Sequence, residues 1–423
     1  MAGERELGRL QLQLLRDDLE GLLLHRAGRD RILAHPATPS SRRVDERNRG
    51  SAPRTGARTR RQGRNRRCAF RRMPRPNRRP FHSRSTPRCE RPVGCASRRG
   101  GARSMSVQPT TAQLTYDRTI ARQMVHRAAV AEVFVTDALQ IAEKQVRVAV
   151  QLPPSHGYFG DHTGGQLDPL LLLEGARQAG IYGGHLVAIP LTDTMLISES
   201  TLVITRPDLI AAAERPIRLV ITGTYGTRKP GGRRSRSGHV LQEFELDGAL
   251  VGTHRLDVLV MTREQHAAVR AIVREGPAPT TAEMPDAAHR QAVAPASVGR
   301  SNPANVVLAQ HACGPDGHRA LVAPRFGNRS LFDHVYDHLP GAVLTEAARQ
   351  LALLAVGRPD TEVVAITARF PRFAELDRPT VATTPATGPA TTEIPVSFTQ
   401  DGTEVTSITI TVRQQQPRQG GVR

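Results

Sequence analysis

The sequence contains no tryptophan, few aromatic side chains and only four cysteines. Three of them, Cys68, Cys89 and Cys95, lie in an arginine-rich stretch without the CxxC spacing or paired histidines of a zinc site, and Cys313 stands alone. This usage excludes a disulfide scaffold and fits a reducing cytosol. No apolar run reaches the roughly 18–20 residues that a membrane span needs, and the start lacks a signal-peptide pattern. We therefore expect a cytoplasmic protein without a metal centre or a membrane partner.

Acidic residues are scarce, but only in one part of the chain. The net charge is +20, and residues 1–104 hold 28 of the 59 Lys and Arg but only 9 of the 39 Asp and Glu. A pI near 11.2 is typical of nucleic-acid binding, but the remainder is nearly neutral and offers no basic helix or aromatic platform. Nucleic acid is therefore not an expected partner of the folded body.

The basic stretch 1–104 divides at about residue 34. Leucines recur at roughly helical spacing over 1–34, which predicts a short amphipathic helix, whereas 35–104 is rich in Arg, Pro, Ser and Gly and nearly lacks aliphatic side chains. Such a composition cannot bury enough surface to offset the entropy of ordering, so we expect a disordered extension. Two alternatives stay open here: a native extension, or a stretch that is not natural coding sequence, with Met105 as the true start.

The body alternates strand-like runs with two long apolar helices in an α+β order, which argues against alternating βαβ units. The predicted helices are LDPLLLLEGARQAGIYGGHL, with Asp168 as N-cap and Pro169 at the first position, and LPGAVLTEAARQLALLAV. An Ala- and Pro-rich stretch separates two units. The expected domains are 105–274 as the first repeat, 275–302 as the linker, 303–413 as the second repeat, and 414–423 as a frayed tail.

The two helices belong to an internal repeat. His162 and His334 are separated by 172 residues, as are Glu174 and Glu346, and eight of the eighteen positions from 161 to 178 are identical to their counterparts. Chance would give about one. The shared set is Asp161/Asp333, His162/His334, Leu167/Leu339, Leu172/Leu344, Glu174/Glu346, Ala176/Ala348, Arg177/Arg349 and Gln178/Gln350.

The shared Glu, Arg and Gln fall at i, i+3 and i+4 and so lie on one helix face. Because the helix is otherwise apolar, the carboxylate should either pair with the arginine or carry a raised pKa suited to proton transfer. The alternative without a function is a Glu–Arg pair whose charges only neutralise each other, or a pair on a solvent-exposed face of the helix. The repetition, with an Asp-His turn before each helix, favours a functional site.

Small residues along the first helix, among them Gly175, Ala176 and Gly183, would let a sheet approach its backbone closely. A long helix wrapped by a curved antiparallel sheet is the hotdog arrangement. We predict a double hotdog, two tandem repeats packed sheet to sheet, preceded by the disordered extension.

The segment LPGAVLTEAARQ resembles the central helix of the hotdog hydroxyacyl-thioester dehydratases, in which a Glu follows six residues after the Pro of a Pro-Gly. Pro340 and Glu346 keep that spacing, and His334 lies in the matching LFDH segment. The family's longer His-Phe-Pro-Gly loop is absent, and His334 lies two residues nearer to the Pro-Gly. Dehydration is therefore not the favoured reaction.

A closer resemblance covers nearly all of 113–413. VHRAAVAEVFVTD, HGYFGDHTGGQLDPLLLLEGARQA, PANVVL and SLFDHVYDHLPGAVLTEAARQLAL look like the A-factor biosynthesis hotdog family of actinobacterial signalling proteins. The resemblance implies γ-butyrolactone biosynthesis, with transfer of a 3-oxoacyl chain from acyl carrier protein to the hydroxyl of dihydroxyacetone phosphate. It implies no further cofactor, because phosphopantetheine delivers the acyl group.

Attack of an alcohol on a thioester requires a base and donors for the oxyanion. His334 or Glu346 can supply the base, and the backbone N–H groups of Gly341 and Ala342 can supply the donors. Arg349 suits the acceptor phosphate or the pairing of Glu346; both roles stay open. We expect the second copy to carry most of the catalysis, since Pro169 of the first copy lacks the N–H that Gly341 offers. Its counterparts Asp161, His162, Glu174 and Arg177 would then bind or be degenerate.

Other basic and histidine side chains receive weaker interpretations. A turn with Arg228, Lys229, Arg233, Arg234 and Arg236 could receive an acidic carrier protein, although such turns are usually solvated loops. We expect structural or surface roles for a set of histidines: His126, His156, His185, His254, His311 and His338.

Two other functions remain open. A thioesterase or dehydratase would use the same His and Glu with water or no external acceptor. A non-catalytic regulator would hold an acyl effector in the repeated sites, with the arginine-rich extension on nucleic acid.

Overall fold

The computed structural model describes residues 113–413, except 165–166, 211–214, 228–236, 275, 286–290 and 389. The predicted extension 1–104, the side chains of the basic turn and the predicted tail 414–423 lie outside the described residues. In the described part of the chain, no helix has both the length and the apolar character that a membrane crossing requires.

Twelve strands and three α-helices make up the described fold. The strands of the first half are β1 (Val135–Ala142), β2 (Gln145–Leu152), β3 (Thr194–Ile204), β4 (Ile217–Thr227), β5 (Ser237–Leu246) and β6 (Ala249–Met261). Those of the second half are β7 (Leu308–Gly314), β8 (Gly317–Val322), β9 (Val363–Arg369), β10 (Val381–Thr384), β11 (Glu393–Gln400) and β12 (Thr403–Val412). The helices are α1 (Pro169–Val187), α2 (Arg263–Val273) and α3 (Gly341–Val356).

All strands form one antiparallel sheet in the order β1-β2-β4-β5-β6-β3-β9-β12-β11-β10-β8-β7. Each half therefore has the same strand order, read outward from the centre. The halves join where β3 pairs with β9, from Glu199 opposite Arg369 to Val203 opposite Ala365. The double hotdog is confirmed. The expected packing of sheet against sheet is wrong, because the two sheets meet at their edges and share backbone hydrogen bonds.

Helix α1 begins where the sequence indicates. The Asp168 side chain accepts a hydrogen bond of 2.9 Å from the backbone N–H of Leu170, and Pro169 occupies the first position. The apolar run packs mainly on β2, with further contacts to β1 and β4. Helix α3 has no side-chain cap at its start and ends at Gly357, whose positive φ of 70° closes the last turn.

The small residues of α1 do allow the sheet to approach. A Cβ added to Gly175 would lie 3.1 Å from the Leu152 side chain, and one added to Gly183 would overlap the Tyr225 hydroxyl. Close contact between helix and sheet therefore depends on glycine here.

Helix α2 was not predicted. Thr262 accepts from the N–H of Gln265, whose side chain accepts from the N–H of Thr262, so a capping box begins the helix. Arg270 fixes α2 against the second half through Asp337 at 2.9 Å and Glu375 at 2.8 Å. The Thr-x-x-Gln pattern was the available signal, and the weakly apolar composition of the helix concealed it.

Candidate active site

The repeated helix motif forms two equivalent clusters. The Glu174 cluster consists of Glu174, Arg177 and Gln178 of α1 together with Arg127, Asp333 and His334. Within it, Arg177 donates from Nε to Glu174 Oε2 at 2.7 Å, and Gln178 donates to Oε1 at 2.7 Å. The predicted shared face is therefore a hydrogen-bonded unit.

The Glu346 cluster repeats this arrangement with Glu346, Arg349 and Gln350 of α3 together with Arg300, Asp161 and His162. Arg349 donates to Glu346 at 2.9 and 2.8 Å, and Gln350 donates at 2.6 Å. Gln350 also receives the N–H of Val307, as Gln178 receives that of Phe134. Each glutamine therefore links the neighbouring glutamate to the backbone just before the first strand of its half, which is β1 for Gln178 and β7 for Gln350.

A second arginine at each carboxylate was missed by the sequence analysis. Arg127 lies 2.6 Å from Glu174 Oε1, and Arg300 donates to both oxygens of Glu346 at 3.0 and 2.9 Å. They occupy matching positions in the segments VHRAAVAEVFV and VGRSNPANVVL, which begin at Val125 and Val298. Alignment of these two segments was the available signal. Arg300 lies inside the stretch 275–302 that was expected to be only a linker.

The Asp-His turn of each repeat lies at the cluster of the other repeat. Asp333 accepts from the N–H groups of Ala128 and Ala129 at 2.7 and 3.2 Å, next to Arg127. Asp161 likewise accepts from the N–H groups of Ser301 and Asn302, next to Arg300. Each cluster is therefore built from both halves of the chain.

This crossing corrects the predicted grouping of side chains. His334 interacts with Arg127 and Arg177, while His162 forms a β-bridge with Arg300 and interacts with Arg349. The structure therefore places His334 with Glu174 and His162 with Glu346, because each turn reaches across the seam between the halves. Grouping by order along the chain was wrong.

His334 has the geometry of an accessible base. Its side chain is 44% exposed, and Nδ1 faces the buried carboxylate of Asp333 at 3.6 Å. The ring stacks on Tyr336 with a centroid distance of 4.1 Å. Burial lowers the pKa of His334, and so do Arg127 and Arg177, although Asp333 opposes them. The ring is therefore neutral near pH 7, with Nε2 as the remaining acceptor when Nδ1 carries the proton.

Neither glutamate is placed to accept a proton. Burial alone would raise the pKa of Glu174, but Arg127 and Arg177 lower it to about 2. Burial acts in the same way on Glu346, and Arg300 and Arg349 hold its pKa far below the usual range. A raised pKa on these carboxylates is thus excluded, and of the two roles left open for Arg349, pairing with Glu346 is the one observed.

The starts of the two helices differ. At α1 the buried carboxylate of Asp168 caps the backbone and also lies 3.2 Å from Arg300. The matching position at α3 is Pro340, which brings no side-chain cap, and Ala342 is exposed. Gly341 lies under the ring of Phe370. The predicted donor groups at Gly341 and Ala342 are therefore not covered by a carboxylate.

The Glu346 cluster is closed around its arginine. Arg300 is fully buried, donates to the Tyr158 carbonyl at 2.7 Å and lies over the Tyr158 ring. A small cleft runs beside His162 and Asp168, lined also by Leu152, Phe159, Leu167 and Leu171. Within the described ranges, no group of three or more His, Cys, Asp or Glu could hold a metal ion.

These features define a double hotdog protein with two composite sites, each with a histidine from one half and an ionised Glu–Arg pair from the other. The chain belongs to the A-factor biosynthesis hotdog family, whose model matches residues 109–262 and 281–416. The second match begins within the stretch expected as linker.

Two curated relatives from Streptomyces have the same name. A 2-oxo-3-(phosphooxy)propyl 3-oxoalkanoate synthase of Streptomyces virginiae is 31% identical over 302 residues, which cover 70% of this chain and 98% of the relative. The protein of the same name from Streptomyces coelicolor is 30% identical, over 67% and 88%. Among solved structures, an acyl-ACP thioesterase from Bacteroides thetaiotaomicron is 11% identical with a TM-score of 0.39, over 64% of this chain and 100% of that one. A TM-score of 0.39 is too low to indicate a shared function.

Proposed function

We propose that this protein transfers a 3-oxoacyl chain from an acyl carrier protein to the hydroxyl of dihydroxyacetone phosphate. The observation that carries the proposal is the match to the synthase of Streptomyces virginiae, which spans 98% of that relative. Its printed name describes an ester of a 3-oxoalkanoate with a phosphorylated three-carbon ketone. The family of this chain and the composite site at His334 fit that chemistry.

In the proposed reaction, Nε2 of His334 accepts the proton of the acceptor hydroxyl while the hydroxyl oxygen bonds to the thioester carbonyl carbon. The backbone N–H groups of Gly341 and Ala342 donate to the oxyanion. The C–S bond then breaks, and the carrier thiolate leaves with the proton that His334 holds. Asp333 orients the ring and stabilises its protonated form.

The Glu174 carboxylate acts through Arg127 and Arg177. It remains ionised throughout and fixes both guanidinium groups, so the site presents ordered positive charge beside His334. In this account Glu346 and Arg349 hold the fold around the second cluster and do not touch the reacting atoms.

Partners follow from the reaction. The acyl donor is a carrier protein, and the acyl group arrives on its phosphopantetheine, so no resident cofactor is needed. The acceptor is dihydroxyacetone phosphate. A cytoplasmic location, which suits both substrates, stays a prediction.

The test is an assay of the purified full chain with a 3-oxoacyl carrier protein, with and without dihydroxyacetone phosphate, read by mass spectrometry. We expect the phosphorylated ester only when the acceptor is present. Release of free 3-oxo acid at the same rate with and without acceptor would identify a thioesterase instead. Loss of water from a hydroxyacyl carrier protein would identify a dehydratase.

A further inference from the structure

A pair of histidines beside the Glu174 cluster has no counterpart beside the Glu346 cluster. His126 and His185 lie with their Nε2 atoms 3.0 Å apart and their ring centroids 5.1 Å apart. The matching positions in the second half are Gly299, just before Arg300, and Gly357, at the end of α3. The two clusters thus differ at both members of the pair.

The backbone of His126 is strained where Gly299 is not. Both residues end a 3-10 turn in the left-handed region, with φ of 53° at His126 and 67° at Gly299. Glycine adopts this conformation freely, whereas a side chain costs on the order of 1 kcal/mol there. Strain of this kind at a functional cluster suggests that the side chain is retained for what it does.

The hydrogen bonds fix which ring nitrogen of His126 is available. His185 Nδ1 lies 2.8 Å from the Ile189 carbonyl, which can only accept, so Nδ1 carries the hydrogen. His185 Nε2 is then the acceptor, and His126 Nε2 donates to it. His126 therefore keeps Nδ1 for a ligand, and no residue in the described part of the chain is bonded to that atom.

The groups that act electrostatically on His126 are His185, Arg177, His334 and Arg263, of which the two arginines carry a permanent positive charge. Burial and these neighbours lower its pKa to about 4. Arg177 keeps 23% of its side chain exposed, against 6% for Arg349, and Arg263 is exposed at the start of α2. The Glu174 cluster also lacks a carboxylate like that of Asp168, which lies beside Arg300 in the Glu346 cluster, because the matching position at the start of α3 is Pro340. Arg177 also pairs with Glu174 at 2.7 Å, so Arg263 and the exposed part of Arg177 are the positive charges that favour an anion here.

We propose that His126, held by His185 and flanked by Arg177 and Arg263, binds the phosphate of the acceptor. This inference rests on the proposed function. One proton lies between Nδ1 and a phosphate oxygen, and it comes from a monoprotonated phosphate, whose second pKa is about 6, or from solvent. Phosphate bound here leaves the three-carbon chain free to present its hydroxyl to His334.

The matched variant is His126→Gly, because glycine is the residue that the other half carries and it relieves the strained backbone. The variant should fold at least as well as the native chain. Its KM for dihydroxyacetone phosphate should rise roughly 10- to 100-fold, the loss expected for one charge-assisted hydrogen bond, while kcat and the KM for the acyl donor change little. His311→Gln, on the distant strand β7, serves as the control.

Unphosphorylated dihydroxyacetone separates phosphate binding from proton transfer. It should be a poor acceptor for the native chain, and His126→Gly should make it no poorer. If the variant lowers kcat alike for both acceptors, or leaves the KM for dihydroxyacetone phosphate unchanged, the proposal is overturned.

Calorimetry with dihydroxyacetone phosphate tests the subsite without turnover. The native chain should bind it at least about 10-fold more tightly than His126→Gly does, and should take up a proton on binding at pH 8. Equal affinities would overturn the subsite even if transfer occurs. A native chain that binds the phosphate in this way but makes no ester would instead overturn the proposed function.

Discussion

The Glu174 and Glu346 clusters share one hydrogen-bonding plan but differ in what surrounds it. Around Glu346, the buried Arg300 and Asp168 close the cluster into a structural unit. Around Glu174, Asp168 is replaced by Pro340, and histidines stand where the other half has glycine. The Glu346 cluster is thus the more deeply buried of the two, and we assign ligand binding to the Glu174 cluster. Each of the following experiments sets one cluster against the other.

The largest contrast should be in stability. In Glu346→Ala, the buried Arg349 loses its carboxylate partner and Arg300 keeps only Asp168 and the Tyr158 carbonyl, so the free energy of unfolding should fall by about 3–5 kcal/mol. Glu174→Ala should cost about 1–3 kcal/mol, because Arg177 reaches water. Urea unfolding followed by circular dichroism measures both. Equal losses would show that the two clusters do not differ as their burial indicates.

The next contrast is in activity. His334→Ala should lower kcat for acyl transfer at least about 100-fold, since the base is lost. The matched variant His162→Ala should retain most of the activity, because its site is not the one we assign to transfer. Single-turnover assays on folded protein separate the two. An inactive His162 variant beside a near-normal His334 variant would reverse the assignment and restore the second cluster as the catalytic one.

The halves should also differ in their response to acid. Burial lowers the pKa of His254, in the first half, to about 3 from an ordinary 6.5. The folded state therefore keeps the ring neutral, so its stabilising contribution is complete above pH 6.5 and falls as the unfolded chain takes up a proton below it. By pH 5 the loss is about 2 kcal/mol.

Urea unfolding at pH 8 and pH 5 measures this loss. His254→Gln should flatten the dependence, although it lowers stability at both pH values by disturbing the bond to Gln242. A pH dependence in His254→Gln as steep as that of the native chain would show that His254 is not the source of the acid sensitivity.

The smallest effect is expected from the basic extension. The described contacts of both clusters come from residue 127 onward, and the composition of 1–104 does not support a core. A chain that begins at Met105 should match the full chain in melting temperature and in acyl transfer. A shortened protein that folds but does not transfer would assign the extension a role at one of the clusters.

Much of the fold follows from local patterns. The strand runs, the α1 cap at Asp168 and the glycines against the sheet were all predictable, because each depends on neighbours a few residues away. Helix α2 was missed although its capping box is local. The edge-to-edge joining of the halves was missed because a pattern of alternation gives no indication of which strand pairs with the edge strand of the other half.

The same division between local patterns and long-range contacts holds at the Glu174 and Glu346 clusters. The sequence by itself determined that Glu174, Arg177 and Gln178 share a face and that α3 repeats them, since positions i, i+3 and i+4 of a helix must meet. Only the tertiary structure decided that His334 lies beside the Glu174 cluster and that Arg127 and Arg300 pair with the two carboxylates. It also decided that His126 lies in a left-handed turn beside His185. Of these contacts, only that of His334 with the Glu174 cluster crosses between the halves, which are joined at β3 and β9. The others pair residues far apart in sequence within one half, and long-range pairing of either kind leaves no periodic trace along the chain.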